Sequence, residues 1–189
     1  MSLLLHLCCA PCLIYPEQAL SREGIDFSGY FYNPNIHPYR EFRKRLDGVQ
    51  SYCQDRTIPL IVERDYGLRE FLRAVVFKEK QRCPVCYRMR LEKTILTAQV
   101  RGFEFYSTTL LYSKYQNHSL IKTQAESLSE ASPVSFIYRD FREGWQLGVD
   151  NSLSLGLYRQ PYCGCIYSEQ ERYDNRYKKK MRKEIKANV

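Results

Sequence analysis

The chain has 189 residues, 44% of them hydrophobic, and carries a formal net charge of +8. This length and composition exclude a disordered chain and indicate one globular domain, because enough apolar material is present to bury a core. No segment approaches the ~18 consecutive apolar residues of a membrane helix, and the first residues lack a signal sequence, so we expect a cytoplasmic protein without membrane association.

The predicted strands and helices alternate along the chain. Apolar periodicity predicts strands at residues 3–7, 26–32, 60–63, 103–107 and 134–138. It predicts helices at residues 16–23, 39–55, 68–78, 83–101, 117–129 and 146–158. Pro34 and Pro38 make the segment before the second helix a loop, since proline cannot donate to a sheet ladder.

The alternation of strands and helices predicts an α/β fold. Strands joined through helices form βαβ crossovers, which give a mostly parallel, Rossmann-like sheet flanked by helices. We assign residues 1–166 to this domain and residues 167–189 to a basic helical C-terminal extension. Ligands of such sheets bind beyond the carboxyl ends of the strands. The turn after the first strand, which contains Cys8, Cys9 and Cys12, lies at such an end.

The positive charge is concentrated near the C-terminus. Between Tyr167 and Val189 there are eight lysines and arginines and four acidic residues. Such a surplus indicates a polyanionic partner, and nucleic acid fits better than a membrane because few large apolar side chains accompany the charges. The 16 tyrosines favour the same partner, since aromatic rings stack on unpaired bases. A solvated surface helix is the alternative.

Seven of the eight cysteines fall into three groups. The groups are Cys8, Cys9 and Cys12; Cys83 and Cys86; and Cys163 and Cys165. In a reducing compartment, clustered cysteines indicate metal ligands or redox pairs rather than structural disulfides. The adjacent pair, together with a Cys-x-x-Cys at a predicted helix start, favours an iron–sulfur cluster, while a structural zinc site and metal-free thiols stay open as alternatives.

The segment Cys163-Gly164-Cys165 differs from the other groups. Its glycine permits a tight turn, so the two cysteines fit either a labile, redox-active disulfide or ligands that complete a metal site begun elsewhere. Of the three histidines, His6 lies in a predicted strand and is expected to be a hydrogen-bonded core residue. His37 and His118 lie in loops rich in Tyr and Asn, which suit a polar ligand as well as turn formation.

Five segments taken together resemble one known family. They are HLCCAPC at residues 6–12, YNPNIHP at 32–38, RCPVCYRMRL at 82–91, SKYQNH at 113–118 and YCGC at 162–165. The family is QueH, the cobalamin-independent epoxyqueuosine reductases. Because the resemblance spans nearly the whole chain in order, it is far more specific than any single cysteine motif.

The resemblance implies reduction of the epoxide of epoxyqueuosine to the cyclopentene of queuosine, at the wobble base of tRNA. It also implies a fold similar to the adenine nucleotide alpha hydrolases, with the cysteine turn in place of their phosphate-binding loop. Cys8, Cys9, Cys83 and Cys86 match the residues that hold a [4Fe-4S] cluster. Cys12 is either an alternative ligand or a ligand of one further metal ion beside the cluster.

The resemblance makes Cys163 and Cys165 a redox-active pair. We expect this pair to store or relay two electrons that come from a separate electron donor. A nearby acid must then protonate the oxygen that leaves the epoxide. The candidates for this acid are Tyr115, His118 and His37.

The expected partner is tRNA that carries epoxyqueuosine in its anticodon. Arg88, Arg90 and the C-terminal extension are expected to hold its phosphates, and the protein to act as a monomer. A zinc-stabilised RNA-binding module without catalysis is the leading alternative, but it does not account for the separate Cys163-Gly164-Cys165. A tRNA-thiolation enzyme of the same superfamily is the other alternative, although such enzymes carry a glycine- and serine-rich phosphate loop after the first strand.

Overall fold

Five parallel strands form the centre of the molecule, which we describe from a computed structural model covering residues 2–179. The strands are β1 (Leu3–His6), β2 (Phe27–Phe31), β3 (Leu60–Val62), β4 (Phe105–Thr108) and β5 (Ser135–Phe136). They lie in the order β3-β2-β1-β4-β5, and each neighbouring pair is parallel. The predicted parallel α/β sheet is confirmed.

The connections between the strands are helical. Within residues 2–179 the helices are α1 (Ala10–Arg22), α2 (Tyr39–Asp55), α3 (Leu68–Val75), α4 (Arg82–Arg101), α5 (His118–Glu130), α6 (Trp145–Ser154) and α7 (Ile166–Tyr173). Short 3-10 turns lie at Glu79–Gln81, Thr109–Tyr112 and Phe141–Gly144. α2 has the predicted bounds, and α4 begins one residue before the predicted start.

The core of the domain surrounds β1, the middle strand of the sheet. Leu3, Leu4 and Leu5 have no exposed surface. Since consecutive side chains of a strand point to opposite faces, both faces of β1 are covered. This explains why the segment is an uninterrupted apolar run rather than an alternation of apolar and polar residues.

The predicted start of the first helix is wrong. α1 begins at Ala10, directly after Cys9, and not at residue 16. Pro11 occupies the first turn of this helix, where a missing N–H costs no hydrogen bond. Pro16 lies inside the helix, so proline did not mark a boundary here. As a result, the cysteine turn is the N-terminus of α1.

The predicted ends of two further helices are also wrong. α3 ends at Val75 rather than at residue 78, because the backbone becomes extended at Val76 (ψ 134°), and Phe77 follows at φ +61°. α6 ends at Ser154 rather than at residue 158, and Gly156 follows at φ +61°. After α6, the left-handed glycine ends the helical hydrogen-bond ladder.

The division of the chain between residues 166 and 167 stays a prediction. α7 begins at Ile166, and residues 175–179 are helical again. Residues 180–189, which form the rest of the predicted extension, lie outside the described residues. No helix within residues 2–179 has the length and apolar character needed to cross a membrane.

β2 and β3 lie on one side of β1, whereas β4 and β5 lie on the other. The direction in which the chain adds strands to the sheet therefore reverses between β1 and β4. The chain that leaves β1 enters Cys8, and the chain that leaves β4 enters Thr109. The Cys8 amide donates to Thr109 Oγ1 at 3.3 Å, so the two turns meet. In open parallel sheets such a switch point forms the crevice in which ligands bind.

Candidate metal and redox centre

Cys8, Cys9 and Cys12 form one sulfur cluster at the N-terminus of α1. Their three sulfur atoms lie within 4.8 Å of one another. The Cys8 and Cys9 Sγ atoms are 3.8 Å apart, and the Cys9 and Cys12 Sγ atoms are 2.6 Å apart. The convergence arises because the helix starts at Ala10 and turns Cys12 back toward the strand end. A helix N-terminus favours negative charge on such sulfurs.

The three thiols of this sulfur cluster have different pKa shifts. Hydrogen bonds from the Cys12 and Cys9 thiols hold the pKa of Cys8 well below its ordinary value. The pKa of Cys12 is raised, because its hydrogen bond with Cys8 favours the protonated form. Burial raises the pKa of Cys9. Gln160 Nε2 donates to Cys9 Sγ at 2.8 Å and completes the surroundings of the cluster.

A cleft of about 730 Å³ opens beside this cluster, and α4 contributes part of its lining. Cys83 and Cys86 lie in the first turns of α4 and line the cleft, but they are outside the 4.8 Å group. Cys83 is exposed, whereas Cys86 is buried. Burial raises the pKa of Cys86 to about 12, and Arg90 Nη2 donates to Cys86 Sγ at 3.1 Å.

Cys163 and Cys165 line the same cleft from the segment before α7. Cys163 is exposed, and its Sγ lies 2.9 Å from Ser168 Oγ. Cys165 is 4% exposed and belongs to a small apolar cluster together with Cys86. Burial raises the pKa of Cys165 to about 11. The structure therefore brings the third cysteine group next to the second.

Of the predicted proton donors, Tyr115 lines the cleft and is exposed. His37 is buried, and its ring packs against Tyr66 and Phe71 at 5.4 and 5.3 Å between centroids. His118 is buried as well, with Nε2 at 3.2 Å from the Ser113 carbonyl oxygen. Neither histidine is among the residues that line the cleft.

His6 is a hydrogen-bonded core residue, as its position in a strand predicts. Its Nδ1 lies 2.9 Å from Thr108 Oγ1 and its Nε2 lies 3.0 Å from the Tyr32 carbonyl oxygen. Burial lowers the pKa of His6 to about 4. The ring therefore links the ends of three adjacent strands and is neutral at physiological pH.

The expectation that Arg90 holds a tRNA phosphate is wrong. Arg90 is 4% exposed, and its guanidinium donates to the sulfur and the carbonyl oxygen of Cys86. The i, i+4 spacing of Cys86 and Arg90 on a helix was the sequence signal for this contact. Arg88, in contrast, is exposed and pairs with Glu92 at 3.6 Å. Its role in phosphate binding stays a prediction.

Sequence reasoning also missed Arg45 and Gln160. Arg45 lies on α2 and reaches the backbone carbonyls of Tyr162 and Cys163. Gln160 reaches the sulfur atoms of Cys9 and Cys12, which lie about 150 positions earlier in the chain. Arg45 is one of several charged residues in its helix, and Gln160 is a polar residue in a loop. Neither has a local sequence signal that indicates so distant a contact.

The donor set fits an iron–sulfur cluster. Thiolates are soft ligands that select iron–sulfur clusters or zinc over hard cations. Arg90 is buried, yet within the described part of the chain no carboxylate pairs with it. A buried guanidinium favours an anion beside it, and the Cys86 sulfur within its reach would be that anion when Cys86 ligates a metal, because metal binding deprotonates a thiol.

The chain is similar to proteins of one family. A family model described as "Epoxyqueuosine reductase QueH" matches residues 3–171. The epoxyqueuosine reductase QueH of Dehalococcoides mccartyi is 38% identical over 171 residues, which cover 90% of this chain and 94% of that protein. The Thermotoga maritima protein of the same name is 35% identical over 184 residues, with 90% and 92% covered.

A solved structure shares the fold. It is the U34-tRNA thiolase NcsA from Methanococcus maripaludis with its [4Fe-4S] cluster, which matches with a TM-score of 0.50 and 13% identity over 85% of this chain and 59% of the thiolase. At this identity the likeness concerns the fold alone. The expected fold class, a parallel α/β sheet flanked by helices, is confirmed, and the thiolase shares this fold. The zinc-stabilised module and the thiolation enzyme are not favoured, since the matched relatives are reductases.

Proposed function

We propose, since the chain belongs to the epoxyqueuosine reductase QueH family, that it reduces the epoxide of epoxyqueuosine in the tRNA anticodon to the alkene of queuosine. One observation carries this proposal: cysteines from three distant segments converge on one cleft at the carboxyl edge of the sheet. The cysteines that line it are Cys8, Cys12, Cys83, Cys86, Cys163 and Cys165.

Cys163 and Cys165 can supply the two electrons that the reaction consumes. Reduction of the epoxide to an alkene consumes two electrons and two protons and releases the oxygen as water. Oxidation of the two thiols to a disulfide supplies two electrons and two protons, so one dithiol supports one turnover. An external reductant must then return the disulfide to the dithiol. The exposure of Cys163 makes the pair accessible to such a donor.

Cys8, Cys9, Cys83 and Cys86 are the proposed ligands of a [4Fe-4S] cluster between the N-termini of α1 and α4. When bound, the cluster would supply one-electron transfer. Cys12 is the additional thiol beside Cys9 and is available to one further metal ion. The Arg90 guanidinium stabilises negative charge on the Cys86 sulfur.

Tyr115 is the proposed proton donor to the leaving oxygen, because it is the predicted donor that faces the cleft. Its ring meets Trp145 edge to face at 5.7 Å between centroids, and Lys114 lies over the Trp145 ring at 5.8 Å. Two exposed cations of the cleft, Arg159 and Arg172, are placed to contact phosphates of the tRNA.

The proposal is tested with Cys163→Ser and Cys165→Ser in anaerobically purified protein. We expect the iron and sulfide content per chain to stay at the wild-type value while turnover of epoxyqueuosine tRNA is lost. Cys53→Ser is the matched control, because Cys53 is a buried cysteine outside the cleft and its replacement should leave turnover intact. Turnover that survives in both cleft variants rules out the dithiol as electron source, and zinc without sulfide rules out the cluster.

A further inference from the structure

Arg45 connects α2 to the loop that carries the dithiol. The residue is 3% exposed. Its Nη1 donates to the carbonyl oxygen of Cys163 and its Nη2 to that of Tyr162, both at 3.0 Å. Its Nε donates to Glu41 Oε1 at 2.7 Å. The planar guanidinium thus donates to two consecutive carbonyl oxygens at once. A lysine ammonium lacks this fixed fork of donors.

The carboxylate of Glu41 is fully engaged as well. Its second oxygen accepts a hydrogen bond from the Tyr158 hydroxyl at 2.5 Å. The Tyr162 ring lies 5.7 Å from the Arg45 guanidinium carbon, in cation–π range. A buried ion pair is tolerated when its remaining donors and acceptors are satisfied. Here the remaining Arg45 donors bind the backbone of the loop that carries Cys163.

The loop leaves no room beside this guanidinium. Gly164 has φ +114°, and a Cβ at this position would lie 3.1 Å from Arg45 Nη1 and 2.9 Å from Ile36 Cγ1. On the other side, the Gly164 carbonyl oxygen accepts from the His37 amide at 2.8 Å. The backbone between the two cysteines is therefore fixed from α2 and from the loop before it.

In this fixed loop the two thiols have different surroundings. Cys163 is exposed and interacts with Ser168, whereas Cys165 is buried in an apolar cluster with Cys86. A disulfide requires the two sulfur atoms to meet at about 2.05 Å. Both cysteines are unpaired in the structure, so their side chains must leave these positions to close a disulfide, in a loop whose backbone Arg45 holds.

We propose that Arg45 is a positioning residue that stabilises the dithiol form of Cys163 and Cys165 and thereby raises the reduction potential of the pair. This inference rests on the proposed redox function of the two cysteines. Oxidation of the pair to a disulfide releases two electrons and two protons, and contacts that hold the reduced loop oppose it. A higher potential makes the dithiol easier to regenerate after each turnover.

The test measures the thiol–disulfide equilibrium of Arg45→Lys and Arg45→Met in anaerobic holoprotein. The proteins are equilibrated with mixtures of reduced and oxidised glutathione, alkylated, and the 163–165 peptide is quantified by mass spectrometry. We expect the equilibrium to shift about tenfold toward the disulfide, which is about 30 mV. We also expect kcat to fall while KM for tRNA stays unchanged, since Arg45 acts through the dithiol.

Arg43→Lys is the matched control. Arg43 lies on the same helix, is half-buried and pairs with Asp47 at 3.0 Å. A wild-type equilibrium in this control and a shifted one in Arg45→Lys support the inference. Arg45→Lys keeps a positive charge next to Glu41, so it preserves the fold better than Arg45→Met.

Equal equilibria in wild type and folded Arg45→Lys overturn the inference. This readout does not depend on turnover. If Cys163→Ser keeps full turnover, the dithiol proposal fails, whereas the glutathione equilibrium still decides whether Arg45 stabilises the reduced loop. The failure of the one is therefore distinguishable from the failure of the other.

Discussion

Arg90 lies one helical turn after Cys86 on α4, and its guanidinium donates to the Cys86 sulfur at 3.1 Å. Arg90 also stacks over the Tyr87 ring at 5.9 Å, and it is buried. A buried cation favours an anion beside it, so Arg90 would stabilise the thiolate form that Cys86 takes as a metal ligand. The loss of one partner of a buried ion pair typically costs about 3–5 kcal/mol.

Arg90→Met is therefore expected to weaken metal retention. The methionine keeps apolar volume but removes the cation beside Cys86, so the proposed iron–sulfur centre should lose iron and sulfide faster to a chelator. The measurement is iron and sulfide per chain against time after chelator addition. Arg88→Met on the same helix is the control, since Arg88 is exposed and pairs with Glu92. Equal retention in the two variants would contradict the role given to Arg90.

The candidate site was predictable from the sequence only as far as its motifs are local. The three cysteine groups are recognisable because their members lie within four residues of one another. Arg45 was not predictable, because its partner Cys163 lies 118 positions away along the chain. The burial of His37 and His118 away from the cleft was not predictable either, because a loop sequence does not indicate which of its side chains the fold buries.

At the scale of elements, the sequence predicted the central strands and the long helices well. β1 is a short apolar run and α2 has a clear helical period, and both signals are local. The structure shortens the predicted strand at 134–138 to Ser135–Phe136, which pairs with β4 alone at the edge of the sheet. The start of α1 was missed, because a cysteine turn with Pro11 looks like a loop until the helix dipole and first-turn geometry are considered.

The loop between β2 and α2 supports the dithiol loop through His37. The His37 amide donates to the Gly164 carbonyl oxygen, and the Tyr162 hydroxyl donates to the His37 carbonyl oxygen at 2.5 Å. The imidazole ring itself lies among Tyr66 and Phe71. Burial lowers the pKa of His37 from 6.5 to about 4, so the ring is neutral in the folded protein.

This shift predicts the pH dependence of stability. Between pH 6.5 and about 4 the unfolded chain protonates His37 but the folded protein does not, so the free energy of unfolding falls as the pH is lowered. One such proton contributes up to ~1.4 kcal/mol per pH unit. His37→Phe, which suits the aromatic surroundings, should make urea-unfolding free energies less dependent on pH in this window. The two proteins should differ by a constant amount above pH 7, and equal slopes below 6.5 would disprove the assignment.

At the scale of the whole molecule, the positive charge of the cleft is divided between two uses. Arg45 pairs with Glu41, Arg82 pairs with Glu171 and Arg90 contacts Cys86, so these cations are occupied within the protein. Arg159 and Arg172 also line the cleft and are exposed, and no carboxylate of residues 2–179 pairs with either. Among the arginines that line the cleft, these two are left to meet a polyanion.

The double variant Arg159→Gln/Arg172→Gln is therefore expected to bind tRNA more weakly and with less dependence on salt. Each lost phosphate contact lowers the slope of log affinity against log salt concentration by about 1, so the double variant should lose about 2. Arg101→Gln is the control, because Arg101 ends α4, some 30 Å from the first turn that carries Cys83. If the double variant keeps the wild-type slope, the phosphates bind elsewhere on the protein. If Arg101→Gln loses as much slope as the double variant, the cleft arginines contribute no more to tRNA binding than other surface cations.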